Sequence, residues 1–271
     1  LSRPRKPSQK REVGADTAVL VVGAPGTGNA VTVPTAAATI LPNLAALLAP
    51  ESHEPINRQI YRALRQAIFT GAMTPGTPLS EKDVSQMFQV SRQPVREAFI
   101  KLAEAGVLQI LPQRGTFVRK ISVKQVRDGR FIREAIERAV VVQAAGSITD
   151  AQLTALANNI KAQRQAAKAN DTAAFLALDE RFHQSLAESI DCPSAWDAIQ
   201  DLKAQMDRVR YLTLPDDSPL DSLIKQHSAI LLALKRHDAA AADAAMCSHL
   251  REILATLGPV AQRHPDWFET I

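Results

Sequence analysis

The stretch "GAMTPGTPLSEKDVSQMFQVSRQPVREAFIKLAEAGVLQILPQRGTFV", residues 71–118, decides how the first half of this chain folds. Gly71 closes the preceding run "INRQIYRALRQAIFTG", in which Ile56, Ile60, Leu64 and Ile68 recur at i+4 and predict an amphipathic helix. "MTPGTPL" reads as a turn. Ser80 then caps a short helix, with Asp83 at the position where Glu or Gln is more usual, and Val84 and Met87 turn inward. Ser91 is the N-cap of a third helix, which tolerates Pro94 because first-turn N–H groups have no helical partner; Gly106 ends it. The runs "VLQIL" and "TFVRKI" flank "PQRG" as a β-hairpin. Three helices and a hairpin over 55–120 make a winged helix-turn-helix.

Charge gives this module a partner. Residues 55–120 hold ten Lys/Arg against four Asp/Glu, whereas 121–271 hold seventeen against twenty. That asymmetry suits a nucleic-acid-binding unit joined to a sensing or assembly unit. Arg92, Gln93 and Arg96 cluster at the start of the third helix, where a recognition helix meets base edges. Arginine matches guanine O6 and N7, and glutamine has the donor and acceptor suited to adenine. Lys82 and Ser91 are placed for phosphates, and Arg114 with Gly115 forms the wing tip. The competing reading is a solvated helix start, with Arg96 paired to Glu97 or another neighbour.

The flanking sequence is different in texture. The basic opening "LSRPRKPSQKR" and the uncharged stretch 17–50 are expected to form a disordered extension over 1–54. Pro25, Pro34 and Pro42 with Gly23, Gly26 and Gly28 break every apolar run well short of about 20 residues, so neither a membrane span nor an export signal is expected. "GAPGTGNA", residues 23–30, has a GxxxxG skeleton but carries Asn29 and Ala30 where a phosphate loop needs Lys and Ser/Thr, which excludes a nucleotide site there. The chain opens on Leu1, as a fragment, an alternative start codon or a start placed too far upstream would give.

Beyond a linker at 121–126, the chain reads as all helix. Its apolar content is 46%, mostly Ala, Leu, Ile and Val, with 4% aromatic residues, which favours helices packed on helices. Helices are expected at about 122–145, 150–169, 172–190, 194–212, 220–236 and 239–257, forming an antiparallel bundle over 127–260 with a tail at 261–271. Cys192 and Cys247 have neither CxxC nor zinc-finger spacing, so a reducing cytoplasm is expected and no thiolate site.

Four polar residues stand out in this bundle. In "LDERFHQSL", residues 178–186, Asp179 and His183 lie at i,i+4 on one face, where they can share a cation or only a hydrogen bond. His227 and His249 lie on consecutive helices, ten residues before and about eleven after the His237–Asp238 turn, so both stand at nearly the same height and can face each other. Both are flanked by apolar positions and point inward. Arg133 can clamp a carboxylate or pair with Glu137 at i+4, and Arg210 is a second candidate or a solvated arginine.

These residues resemble known families. The stretch 71–118, with its "VSRQPVREA" core, is similar to the N-terminal domain of the GntR family of bacterial transcription regulators. That resemblance implies operator contacts by Lys82, Ser91, Arg92, Gln93, Arg96 and Gly115, although Gln93 replaces the small residue usual there. "LDERFHQSL", "KQHSAILLAL" and "AADAAMCSHL" resemble the FadR-type C-terminal ligand domain, FCD, over about 122–258. This second resemblance implies a divalent metal on Asp179, His183, His227 and His249 with room for an effector carboxylate. Gln226 and Asp191 depart from the common Glu and Asn without removing a ligand.

The sequence therefore predicts a homodimeric, cytoplasmic transcription regulator, a repressor in sense, on a pseudo-palindromic operator. A small organic or sugar acid is its expected effector. Zinc is the first choice of metal, with nickel, manganese and iron as alternatives. Two rivals are a metal-dependent hydrolase with an accessory DNA-binding domain and a DNA binder with a purely structural metal. The first lacks an HExxH motif, and Glu180 lies about 100° from Asp179 around the helix.

Overall fold

The computed structural model describes residues 53–200, 202–213 and 220–270. The extension expected over 1–54, with its phosphate-loop-like stretch, lies outside these residues apart from His53 and Glu54.

The first unit is built from α1 (Ile56–Phe69), α2 (Glu81–Phe88), α3 (Arg92–Glu104) and the strands β1 (Pro78–Leu79), β2 (Leu108–Leu111) and β3 (Gly115–Val118). The i+4 stripe of α1 buries Ile60, Leu64 and Ile68 completely, while Ile56 at its start stays outside. They pack with Phe88, Val95, Phe99, Leu102, Leu108 and Val118 in one core. Each such side chain contributes about 1.5–3 kcal/mol on burial. Ser80 caps α2 by accepting from the Asp83 N–H at 3.4 Å. Ser91 is the N-cap of α3 by backbone position, but its hydroxyl makes no capping hydrogen bond.

The sheet corrects the sequence reading in one respect. Part of the presumed turn "MTPGTPL" forms β1, which pairs antiparallel with β3, giving the order β1-β3-β2. The hairpin tip is Pro112, Gln113 and Arg114, because Gly115 already pairs with Leu111. At φ 106°, Gly115 occupies backbone space that favours glycine over every other residue.

The second unit contains α4 (Val123–Ser147), α5 (Asp150–Lys168), α6 (Thr172–Ser189), α7 (Pro193–Gln200), α8 (Ala204–Thr213), α9 (Leu220–Lys235) and α10 (Ala239–Arg263). The expected linker over 121–126 is short, since α4 begins at Val123 with the Ser122 hydroxyl as its cap. The single helix expected over 194–212 is two helices. Their corner holds Lys203, which is buried and donates to Asp207 at 2.6 Å and to Glu180. The last helix also runs past its expected end at 257, through Pro259 to Arg263, because Leu257 and Val260 bury against Met206, Val209 and Ile121. The expected tail over 261–271 carries structure too: Phe268 forms a parallel bridge with Ile121, and the Ile121 N–H donates to the Trp267 carbonyl at 2.7 Å. Among the described residues no helix is long and apolar enough to cross a membrane.

One close approach sets the seating of α4. A Cβ on Gly129 would fall 2.7 Å from the Leu202 carbonyl oxygen at the α7–α8 corner, whereas one on Gly146 of the same helix would meet nothing within 4 Å. Gly129→Ala should therefore destabilise the fold by about 1–3 kcal/mol. Gly146→Ala should be neutral or stabilise it by about 0.5–1 kcal/mol. Urea unfolding of the two variants tests this; equal stability would contradict the close packing at Gly129.

Candidate functional site

Six helices contribute to a polar cluster in the bundle interior. Asp179 and His183 come from α6, His227 from α9 and His249 from α10, and all four are buried. Each offers one ligand atom, and these atoms lie within 4.8 Å of one another. His249 Nε2 stands 3.1 Å from His183 Nε2 and 3.3 Å from His227 Nε2, and His227 Nε2 is 3.5 Å from Asp179 Oδ1. The i,i+4 pair Asp179 and His183 and the two height-matched histidines thus meet at one point.

The outer ring nitrogens fix the tautomers. His183 Nδ1 faces Glu137 on α4, whose carboxyl is pushed up by burial but held down to about 2 by Arg133 and His183, so it is an acceptor only. His227 Nδ1 faces Gln163 Oε1 at 2.8 Å. That amide cannot flip: Gln163 Nε2 donates to Asn159 Oδ1 at 2.7 Å, and Asn159 Nδ2 in turn donates to the Leu178 carbonyl at 3.0 Å. His249 Nδ1 faces Gln226 Oε1 at 2.9 Å, and Gln226 Nε2 donates to Glu252 at 2.7 Å. Each Nδ1 therefore carries a proton, and in the neutral ring each Nε2 presents its lone pair inward.

Protonation does not relieve this crowding. Burial drives the His227 pKa down to about 3 and His249 well below its usual value, so neutral imidazoles are favoured. The Nε2 lone pairs of these two rings and the Asp179 carboxylate then converge with His183 Nε2. A cation is what this donor set fits. Two nitrogens each about 2.05 Å from one zinc ion at a near-tetrahedral angle lie about 3.3 Å apart, close to the spacings found here.

Asp179 has a second partner. Arg210 on α8 donates to both its oxygens at 2.6 Å, so Arg210 is neither solvated nor free. Burial opposes the Asp179 charge, but Arg210 outweighs it and holds the carboxyl well below the usual range. Arg133 pairs with Glu137 as the alternative reading had it, yet only through Nε; its Nη2 is buried without a partner. Arg133, Arg210, His249, Thr213 and Thr256 line a small open cavity of about 40 Å³. Sequence reasoning missed Glu137, Gln163 and Gln226 as orienting groups. Gln226 was visible only as a departure from the common Glu, and it still supplies the acceptor.

The same helix α8 reaches the first unit. Arg65 of α1 donates to Asp207 at 2.8 Å, Gln205 Nε2 donates to the Gly106 carbonyl at 2.5 Å, and Ala204 belongs to the first unit's core. Lys82, Ser91, Arg92, Gln93, Arg96, Arg114 and Gly115 are all exposed. Arg96 is not paired with Glu97. It donates to both oxygens of Glu81 at the start of α2, at 2.9 and 3.0 Å, while Glu97 accepts from Gln93 at 3.1 Å and from Asn57 at 2.7 Å.

Comparison with known proteins finds a family for each half of the chain. Residues 56–118 match the family model of bacterial regulatory proteins of the gntR family, and residues 130–252 match that of the FCD domain. The HTH-type transcriptional repressor RspR of Escherichia coli (strain K12) is 51% identical over 215 residues, covering 79% of this chain and 94% of that protein. A regulator from an unstable DNA locus of Streptomyces ambofaciens is 33% identical over 213 residues, covering 79% and 89%. Among solved structures, Escherichia coli McbR/YncC superposes with a TM-score of 0.66 at 21% identity, covering 78% of this chain and 99% of that one, which shows a shared fold.

Removing Arg210 leaves a buried carboxylate without its cation. Arg210→Ala should cost about 3–5 kcal/mol in chelator-treated protein, and Asp179→Asn in the same background should restore part of the loss. Urea unfolding measures both; an Arg210→Ala variant as stable as the parent would show that Asp179 does not depend on this pair.

Proposed function

The chain belongs to the gntR family of bacterial regulatory proteins and carries an FCD domain, and we propose that this transcription regulator is a repressor whose operator affinity responds to a small organic acid at a metal centre. Its relatives are transcription regulators and not enzymes, so the hydrolase reading is set aside. Repression is supported by the 51% identical RspR, a transcriptional repressor.

The observation that carries the metal is the convergence of three imidazoles and the Asp179 carboxylate, whose ligand atoms lie within 4.8 Å of one another in the buried interior. Asp179, His183, His227 and His249 would hold a divalent ion, with zinc the first choice and nickel, manganese and iron the alternatives. A bound ion would supply a Lewis-acidic anchor for an anion. Arg133, with its unpartnered Nη2, lines the adjoining cavity and can take a carboxylate by a charge-assisted hydrogen bond. Those two cationic features select organic acids, sugar acids among them, over neutral or basic metabolites.

Operator binding is assigned to Arg92, Gln93 and Arg96 on α3, with Lys82, Ser91, Arg114 and Gly115 on the backbone, in a homodimer formed through the helical domain on a pseudo-palindromic site. A coupling of 1–3 kcal/mol between effector and operator would change affinity about 5- to 150-fold.

Three experiments test this reading. Elemental analysis should find about one divalent ion per chain, largely lost in His227→Ala/His249→Ala; full occupancy of that variant excludes the ligand set. A thermal-shift screen of organic and sugar acids on metal-loaded protein should give stabilisation that disappears in His227→Ala and weakens in Arg133→Ala. Hits indifferent to both substitutions would place the effector elsewhere. On the DNA side, Arg92→Ala or Arg96→Ala should each cost about 1–3 kcal/mol of operator binding.

A further inference from the structure

A carboxylate on a surface that meets DNA repels phosphates and lowers affinity for every sequence alike. Glu81 is such a group. It begins α2 directly before Lys82, and the largest cause lowering its pKa is the hydrogen bond from Arg96, with Arg92 adding a smaller attraction. It is therefore ionised at neutral pH, in the middle of the basic residues assigned to the operator.

What it holds explains why a charge unfavourable to phosphate sits there. Arg96 Nε and Nη2 donate to the two oxygens of Glu81 at 3.0 and 2.9 Å, a parallel two-point pair that fixes the plane of the guanidinium as well as its position. Arginine has five N–H groups, and this pair uses two of them. Of the three that remain, one on Nη2 and one on Nη1 form the adjacent end-on edge. That edge has the spacing to meet guanine O6 and N7. Glu81 is itself held at the first position of α2, where the Ser80 cap and the helix N-terminus favour a carboxylate. An unbuttressed arginine on an exposed helix would instead sample many rotamers and could bind any nearby phosphate. Glu97 differs in kind, because it ties α1 to α3 through Asn57 as well as contacting Gln93.

We propose that Glu81 is a positioning residue for base reading: it orients the Arg96 guanidinium so that its Nη1–Nη2 edge faces the major groove, making Arg96 a selective reader of guanine. This inference rests on α3 being the recognition helix, and the test separates the two.

The full chain is first used to select its preferred duplex from random-sequence DNA. Affinities are then measured for duplexes in which each position is changed to the other three bases, using the parent, Arg96→Ala, Glu81→Gln and Glu81→Asp. Arg96→Ala should flatten the base preference at one symmetry-related pair of positions, by about 5- to 150-fold. Glu81→Gln should flatten the same pair at least several-fold and leave other positions unchanged, with unrelated DNA bound as well as before or better and the melting temperature unaltered. Glu81→Asp, which keeps the charge on a shorter arm, should fall between. In Arg96→Ala/Glu81→Gln the flattening should not exceed that of Arg96→Ala alone. Loss at one position in Arg96→Ala with none in Glu81→Gln overturns the positioning role while leaving the recognition helix standing. A uniform gain at all positions in Glu81→Gln makes Glu81 only a charge brake and also overturns it. A profile unchanged by Arg96→Ala removes Arg96 as a base reader, and the positioning role of Glu81 with it, while α3 could still read through Arg92 and Gln93.

Discussion

The bundle is organised around a polar cluster that apolar packing alone would not tolerate. Three imidazole nitrogens and a carboxylate meet in the interior, and each is held from behind by a group on another helix: Glu137 on α4, Gln163 on α5, Arg210 on α8 and Gln226 on α9. A buried polar group without a partner costs about 1–3 kcal/mol, and a buried charge costs more, so these second contacts are conditions for the cluster to exist. The apolar residues around it, Phe175, Phe182, Ile230 and Met246 among them, exclude water and keep the donors in register. Phe182 stacks on His227 with ring centres 4.4 Å apart, so even the imidazole plane is set by packing.

Because the cluster draws on six helices, its state is felt widely, and α8 carries the most direct connection. That helix presents Arg210 to Asp179 and Asp207 to Arg65 of α1, three residues apart on one short rod. Lys203 at its N-terminal corner joins Asp207 to Glu180, the neighbour of Asp179. A displacement of Arg210 cannot leave Asp207 in place unless the helix bends or breaks. Between them lies Arg208, fully buried, with Nε and Nη2 unpartnered, its pKa lowered by burial to about 10. Unmet donors raise the free energy of this arrangement of the joint.

The C-terminal segment bears on the same joint. Trp267 lies over Gly71 at the end of α1, where a Cβ would fall 3.1 Å from its ring, and Glu269 accepts from Arg119 at 2.9 Å just before α4. Nothing in "HPDWFETI" carries a helical or strand period that would announce this. Its order comes from Ile121 and Phe268 joining Met206, Val209 and Val260 in a third apolar cluster between the two main cores.

Local rules account for what was legible in the sequence. Periodicity at 3.6 residues, Ser and Thr caps and glycine stops are one-dimensional signals, and they marked α1 to α6 and α9 closely. The i,i+4 spacing of Asp179 and His183, and the equal distances of His227 and His249 from their turn, follow from helix geometry, so the four candidate ligands could be named before any coordinates. The remainder depended on contacts distant in the chain. The break between α7 and α8 is set by a buried lysine finding two carboxylates, the run of α10 through Pro259 by the burial of Val260, and the third strand by its pairing with Phe117 and Thr116. Which group orients each histidine, that Arg96 faces Glu81 and that Arg210 faces Asp179 were decided only in three dimensions. A side chain's partner is whatever the packing of other helices brings within about 3 Å, and no local pattern records that distance.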